Sequence, residues 1–417
     1  MSLTIPIEHQ PAARRSVDGL TFTGILIGAY LAVFLCQFDT CMLRQERIRF
    51  APVYPLTASL LAMGMSMWYL ASASILKVLW GTSSAIASFA LIAIFALAGA
   101  ALPEANFTEG WKYILYPSMD FLVFSLAIPM SIVFASKANW QIACGLALSA
   151  LVTSVLIDAR YPGTFSFLDT RAAGFGVNPN SGAALLVMTL IGVLDWQKPR
   201  LSFSAAAWAG IVFVGVFMTM SRSGILLLGL VGMLYLRQCI RKNGLGTLVI
   251  IGGITFCVAG YGVMAGEFAR RVLPLLEANG TRANLFSGQM DAMDTREDSR
   301  VQLAMDHLEM ALERPFLGWG TGLSYSGEDG AHNMFLARWV ENGIPGLLAY
   351  VLLIGAIFRI GWRHNSWECL TLAIFLAALS FFSHNLLEDK SLLIMLAITA
   401  GRAVQSTPQS SGPIGSS

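Results

Sequence analysis

The chain has 417 residues, of which 55% are hydrophobic and 12% charged, and its mean hydropathy is +0.63. Soluble domains carry about 25% charged residues, so a water-soluble fold this poor in charge cannot cover its own surface. The formal net charge of +2 gives no sign of a nucleic-acid partner. The length is better divided by the roughly 20 apolar residues that one bilayer crossing takes.

In chain order, apolar runs of spanning length occur near 20–38, 52–72, 82–102, 114–135, 140–158, 178–195, 203–220, 223–240 and 245–265. A longer, more polar stretch follows, and further runs lie near 343–361, 367–384 and 390–405. The chain therefore divides into spans 1–9 over 1–265, an external loop with amphipathic helices over 266–342, spans 10–12 over 343–405, and a low-complexity, disordered tail over 406–417. The expected fold is an all-α polytopic membrane protein with about 12 transmembrane helices. The first run lacks a small-residue cleavage site and reads as an uncleaved span.

Twelve spans place both termini on one side. With that side cytoplasmic, its short loops receive twelve of the 27 basic residues, among them Lys77, Lys137, Lys198, Arg200, Arg237, Arg363 and Arg402. The opposite short loops receive eight, so the positive-inside bias favours a cytoplasmic N-terminus. The six cysteines form no CxxC pair and no metal-ligand spacing, and most read as small buried hydrophobes. Cys36 and Cys41 are near enough in sequence to bridge at a helix end.

Within the long loop, 298–314 places Val301, Ala304, Met305, Leu308, Ala311 and Leu312 on one helical face, and Pro315 with the glycines of GWGTG stops that helix. The stretch 333–342 is apolar and aromatic but too short to span, so it is expected to pack at the membrane surface. Gly343-Ile-Pro-Gly346 then starts the next span sharply.

An ionisable group at mid-bilayer costs roughly 2.5–3.5 kcal/mol on insertion scales, so the charges near spans need reasons. Arg171 (RAAGFGVNPNSG), Arg222 (MSRSGILLLG), Arg300 (DSRVQLA) and His332 (GAHNMF) all fall on the outer face in this topology. Each arginine has a plain reading as an interfacial anchor or as the partner of a nearby acid, Asp169 for Arg171 and Asp298 for Arg300. Arg222 has no acid within twenty residues on either side. Converging guanidinium groups suit phosphate, because they offer paired, permanently charged donors. His332, with an ordinary pKa of about 6.5, suits a general base for a sugar hydroxyl, or else simply caps the short segment after it. Glu341 and Asn342 lie within reach to orient a ring or a sugar. There is no GxSxG, Walker-type loop, HExxH, or outer-loop DxD that would hold a divalent cation. His384-Asn385 with Glu388, Asp389 and Lys390 forms a second polar cluster, read as a connecting turn.

His332-Asn333, nine residues, then Gly343-Ile-Pro-Gly346 resembles the signature of lipopolysaccharide O-antigen ligases. Arg222-Ser-Gly-Ile-Leu226 resembles their Arg-x-x-x-Leu motif. Arg171 with GFGVNPNSGA, and the run from Arg300 through RPFLGWGTG, resemble the wider ligase and polymerase superfamily. The resemblance covers about 165–350. It implies a GT-C-like, metal-independent and inverting glycosyltransferase of the bacterial inner membrane, working at the periplasmic face without a cofactor. Such ligases move O-antigen polysaccharide from undecaprenyl pyrophosphate to a sugar hydroxyl of lipid A-core. Carried over by position, His332 is the catalytic base and Arg171, Arg222 and Arg300 bind the pyrophosphate. Asn180, Asn333 and Glu341 are supporting polar groups. An O-antigen polymerase and a protein O-oligosaccharyltransferase share much of the pattern. A transporter for anionic lipid or polysaccharide needs charge deep in several spans, and the spans are nearly free of it at their centres.

Overall fold

The computed structural model describes residues 22–44, 72–102, 110–167, 171–240, 294–323, 332–383 and 386–406. Among the described residues there is no β-strand. The α-helices are α1 (Phe22–Leu35), α2 (Phe38–Arg44), α3 (Ser72–Gly99), α4 (Gly110–Met130), α5 (Lys137–Arg160) and α6 (Pro179–Val193). They continue with α7 (Phe203–Met218), α8 (Arg222–Ile240), α9 (Asp294–Glu313), α10 (Met334–Arg363), α11 (Trp367–Leu379) and α12 (Lys390–Gln405). By length and composition α3, α5, α8 and α10 suffice to cross a bilayer, and α1, α4, α6, α7 and α11 contribute shorter apolar helices. The protein is an all-α membrane protein.

Every apolar run that falls on described residues is helical. The runs at 52–72 and 245–265, most of the loop before α9, the His384-Asn385 pair and the tail after 406 lie outside the described residues. One boundary moves: α3 begins at Ser72, ten residues before the expected start. Lys77 does not interrupt it, because Lys77 sits on the exposed side while Ile75 and Val78 are buried.

Two helices form the centre. In α6 every residue from Gly182 to Val193 is buried, and in α12 every residue from Ser391 to Val404. A helix apolar on all sides belongs inside other helices rather than at a surface, and α1, α3, α4, α10 and α11 pack around α12 while α5, α7 and α8 pack around α6. Small residues permit the closest approaches, as expected where dispersion replaces the hydrophobic effect. A Cβ on Gly192 would stand 2.4 Å from Cys144 Sγ, and one on Gly81 would stand 2.5 Å from Val404. Cys36 and Cys41 are both buried and form no disulfide with each other.

Hydrogen bonds between helix termini sort the bundle into two ends. At one end Lys137 pairs with Asp195, and Gln141 Nε2 donates to Val193 O (2.9 Å). Tyr235 donates to Arg200 O (3.2 Å), and Gln405 donates to Ser131 (2.7 Å). Burial alone would raise the Asp195 carboxyl, but Lys137 and the backbone N–H groups of Lys198 and Gln197 outweigh it and hold its pKa below the usual range. At this end Arg402 Nη1 donates to both oxygens of Glu368 (2.8 Å each), Arg402 Nε donates to Phe134 O (2.7 Å), and the Trp140 indole N–H donates to Glu368. That cluster joins the starts of α5 and α11 to the finish of α12.

At the other end lie the finishes of α1, α3, α5, α7 and α11 and the starts of α6, α8, α10 and α12. Ser391 donates to Phe34 O (2.7 Å), Thr321 to Ala96 O (2.6 Å), and Met334 N to Ser380 O (2.8 Å). Chain direction and these contacts together place Arg171, Arg222 and His332 at this same end.

Glu368 and Arg402 meet in low-dielectric surroundings, where removing one partner leaves an uncompensated charge and costs about 3–5 kcal/mol. Glu368→Ala is therefore expected to lower the thermal unfolding temperature in detergent sharply. An unfolding temperature equal to that of the wild type would show that the pair does not hold α11 to α12.

Candidate active site

The loop between α5 and α6 is built on Asp158, which is almost fully buried. Its Oδ1 accepts from the backbone N–H groups of Phe165 (2.9 Å) and Ser166 (3.3 Å), and its Oδ2 from those of Ala173 (2.7 Å) and Gly174 (3.2 Å). Four donors on one carboxylate anchor both arms of the loop. Gly174 has φ +54°, and a Cβ there would meet Ser154 Oγ at 2.4 Å, so only glycine lets the chain turn against α5. The loop then enters α6 through Asn178, whose side chain caps it by accepting from Asn180 N (2.9 Å).

Arg171 reaches from this loop to the turn between α7 and α8. Its Nε donates to Thr219 O (3.0 Å) and its Nη2 to Met220 O (2.7 Å), with Asn180 Oδ1 at 3.5 Å. Ser221 Oγ donates to Asn180 Oδ1 (3.0 Å) and accepts from Gly224 N (3.1 Å), which caps α8. Met220 has φ +49°, a conformation rare for a residue with a side chain. Arg222 follows as the first residue of α8 and is half-buried. Arg171, Asn180 and the turn that carries Arg222 thus form one hydrogen-bonded unit.

His332 stands just outside α10, exposed, with φ +45°. Asn333 caps the helix by accepting from Phe335 N (3.0 Å) and Leu336 N (3.2 Å). The stretch 333–342, expected as a short segment before the next span, is the short first helix of α10, set apart from the span that follows. The helical run is broken at Gly343, whose φ +66° and ψ −167° are not helical. The break leaves backbone groups without helical partners, and the turn after α9 supplies them. Trp319 N donates to Val340 O (2.8 Å), Gly320 N to Glu341 O (3.0 Å), and Ile344 N to Pro315 O (2.7 Å). The turn is fastened to α9 by Trp319, whose indole N–H donates to Met310 O (2.7 Å) beneath the Arg314 guanidinium, 4.0 Å from the ring centroid.

Glu341 is fully buried in this joint rather than aimed at the outside. It lies 3.4 Å from Arg338 Nη1 and accepts from Gly322 N (3.3 Å). Asn342 donates to Phe95 O (3.1 Å) and Thr321 Oγ1 (3.2 Å). Asn342 fastens the joint to α3, and Glu341 fastens it to the turn after α9.

Arg300 lies in the first half of α9; its side chain is outside the described residues. The apolar stripe expected on this helix splits in two. His307 and Ala311 are buried toward α10, whereas Met305 and Leu312 are about three-fifths exposed. Residues such as Met305, Leu308, Phe335, Leu336, Trp339 and Phe381 line an open apolar groove of about 520 Å³, with Asn333 at its rim.

Residues 205–351 match the family model described as O-antigen ligase. The chain carries an O-antigen ligase family domain. The matched segment of the O-antigen ligase domain runs from α7 through the joint at Gly343, and it contains Arg222, Arg300 and His332. Arg171 and Asn180 precede it. No curated protein matches the chain.

Sequence reasoning missed Asp158, Arg338, Thr321 and the carbonyls that Arg171 serves. Asp158 had a signal, being an acid within an apolar run; the carbonyls had none, because backbone acceptors leave no trace in composition.

Gly343 adopts a backbone region open essentially to glycine, and a Cβ there would lie 2.3 Å from Phe316 O. Gly343→Ala is expected to destabilise by about 1–3 kcal/mol or more, read as a lower unfolding temperature. Gly355→Ala, in the same helix with open space at the Cβ, should be near neutral. Equal behaviour of the two variants would remove the joint as a structural requirement.

Proposed function

We propose that the protein is an O-antigen ligase that transfers O-antigen polysaccharide from undecaprenyl pyrophosphate to a sugar hydroxyl of lipid A-core. The match of residues 205–351 to the O-antigen ligase family supports chemistry of the ligase and polymerase type. The observation that carries the finer reading is that Arg222 and His332, 110 positions apart in the sequence, belong to the same end of the bundle and to the matched segment.

That end is the periplasmic one on this reading, and the protein sits in the inner membrane with both termini in the cytoplasm. The opposite end carries Lys77, Lys137, Lys198, Arg200, Arg237, Arg363 and Arg402, as the positive-inside rule requires of a cytoplasmic face.

His332 takes the proton of the acceptor hydroxyl as that oxygen attacks the anomeric carbon. The bond from that carbon to the pyrophosphate oxygen breaks, the leaving lipid pyrophosphate keeps the electron pair, and the configuration inverts. Arg222 sits at the start of α8, where the guanidinium and the positive end of the helix dipole both favour an anion. Arg300, in the first half of α9, is the second arginine assigned to the pyrophosphate on this reading. Charge grows on the pyrophosphate as the bond breaks, so fixed cations there stabilise the transition state more than the ground state. No divalent metal enters these steps, since arginines supply the positive charge. The groove between α9 and α10 offers an apolar surface for a lipid chain beside Asn333.

His332→Ala is expected to lower transfer by roughly 10²–10⁴ with donor binding retained, measured with purified protein, lipid-linked donor and core acceptor. Transfer near the wild-type rate would remove His332 as the base. Arg222→Lys, which keeps charge but loses the planar fork, is expected to lose most activity, and full activity would make Arg222 an interfacial anchor. Complementation of a ligase-deficient strain separates the readings within the family. Return of lipopolysaccharide ladders supports the ligase, whereas restored chain growth in a polymerase-deficient strain alone, or glycosylated protein alone, assigns the protein to the polymerase or oligosaccharyltransferase reading.

A further inference from the structure

We infer that Arg171 is a positioning residue that sets Arg222, and not a third ligand of the donor's phosphates. The inference rests on the reading of Arg222 as a phosphate ligand. Its basis is where the Arg171 guanidinium is directed: Nε to Thr219 O at 3.0 Å and Nη2 to Met220 O at 2.7 Å. These are consecutive carbonyls of the turn that ends α7, and Arg222 begins two residues after the second. Arg171 is only 9% exposed, and its Nε and Nη2 are directed into the protein.

The geometry explains why arginine is required. Two donors in a fixed plane meet two carbonyls of one turn, while a lysine ammonium offers a single point of charge. Met220 holds a left-handed conformation, φ +49°, that needs outside support to persist. Asn180 completes the support, since its Oδ1 accepts from Ser221 and lies 3.5 Å from Arg171 Nη2. The Ser221 hydroxyl then caps α8 through Gly224 N. Asp158 fixes the loop on which Arg171 stands, through the N–H groups of Ala173 and Gly174. A line of hydrogen bonds therefore runs from the finish of α5 to the start of α8.

If Arg171 acts only through Arg222, its loss costs nothing once Arg222 is gone. The test is a double-mutant cycle on the full chain in detergent, read as the Kd for undecaprenyl pyrophosphate, with inorganic pyrophosphate as the lipid-free probe. Melting temperatures are measured in parallel. Arg171→Gln and Arg171→Lys are each expected to weaken binding about tenfold or more, the scale of one charge-assisted hydrogen bond. The combination Arg171→Gln with Arg222→Gln is expected to bind no worse than Arg222→Gln alone, because coupled residues depart from additivity.

Should Arg171 variants fail to fold, Asn180→Ala provides the milder arm. It is expected to weaken binding less, and again not at all in the Arg222→Gln background. Additive losses in the double variants, rescue by Arg171→Lys, or wild-type affinity in Arg171→Gln would each overturn the inference. Wild-type affinity in Arg222→Gln would instead remove Arg222 from the phosphates, a different failure that the same measurements distinguish.

Discussion

Backbone that leaves a helix exposes N–H and C=O groups that cannot pair within their own segment, and at the margin of a bilayer only protein can pair them reliably. Three irregular stretches meet at the end of the bundle that holds His332, and each is closed by a different device. The loop after α5 has its N–H groups taken by the Asp158 carboxylate. The turn after α7 has its carbonyls taken by Arg171. The break at Gly343 is closed by the backbone of the turn after α9. Without those closures the irregular backbone would either become helical or draw in water, and no surface would be left to carry a site.

The two ends spend their charges differently. At one, Glu368 pairs with Arg402 and accepts from the Trp140 indole, which ties α5, α11 and α12 together. At the other, the Asp158 carboxylate accepts from four peptide N–H groups and the Arg171 guanidinium donates to two peptide carbonyls. A carboxylate surrounded by N–H groups and a guanidinium surrounded by carbonyls impose shape on backbone. The first end is a fastening, and the second is a mould.

Much of this was legible in sequence, and the limits have physical causes. Spans declare themselves because lipid tolerates few substitutes for a long apolar run, so every run on described residues proved helical. The break at 343 was legible because glycine beside Ile-Pro-Gly has few other uses. The α9 stripe misled because alternating contacts, protein on one side and an open groove on the other, share one apolar periodicity. His307 is buried on that helix although its type suggests a surface. Arg171 was legible as important but not in its contacts, since arginine suits phosphate and carbonyl oxygens alike. The contacts of Glu341 were equally illegible: it is buried between Arg338 and Gly322, and neither partner is marked by spacing.

Two arginines brought to one turn would repel unless one of them were compensated. The carbonyl dipoles of Thr219 and Met220 offset part of the charge of Arg171, and the first turn of α8 holds no acid. Preorganised positive charge is useful in transfer from a pyrophosphate only if it is fixed before the bond breaks, since reorientation during the reaction would consume the gain. Holding the turn through Arg171 and Asn180 therefore gives Arg222 the rigidity that such stabilisation needs. That is why the loop before α6, outside the matched family segment, belongs to the proposed machinery of transfer.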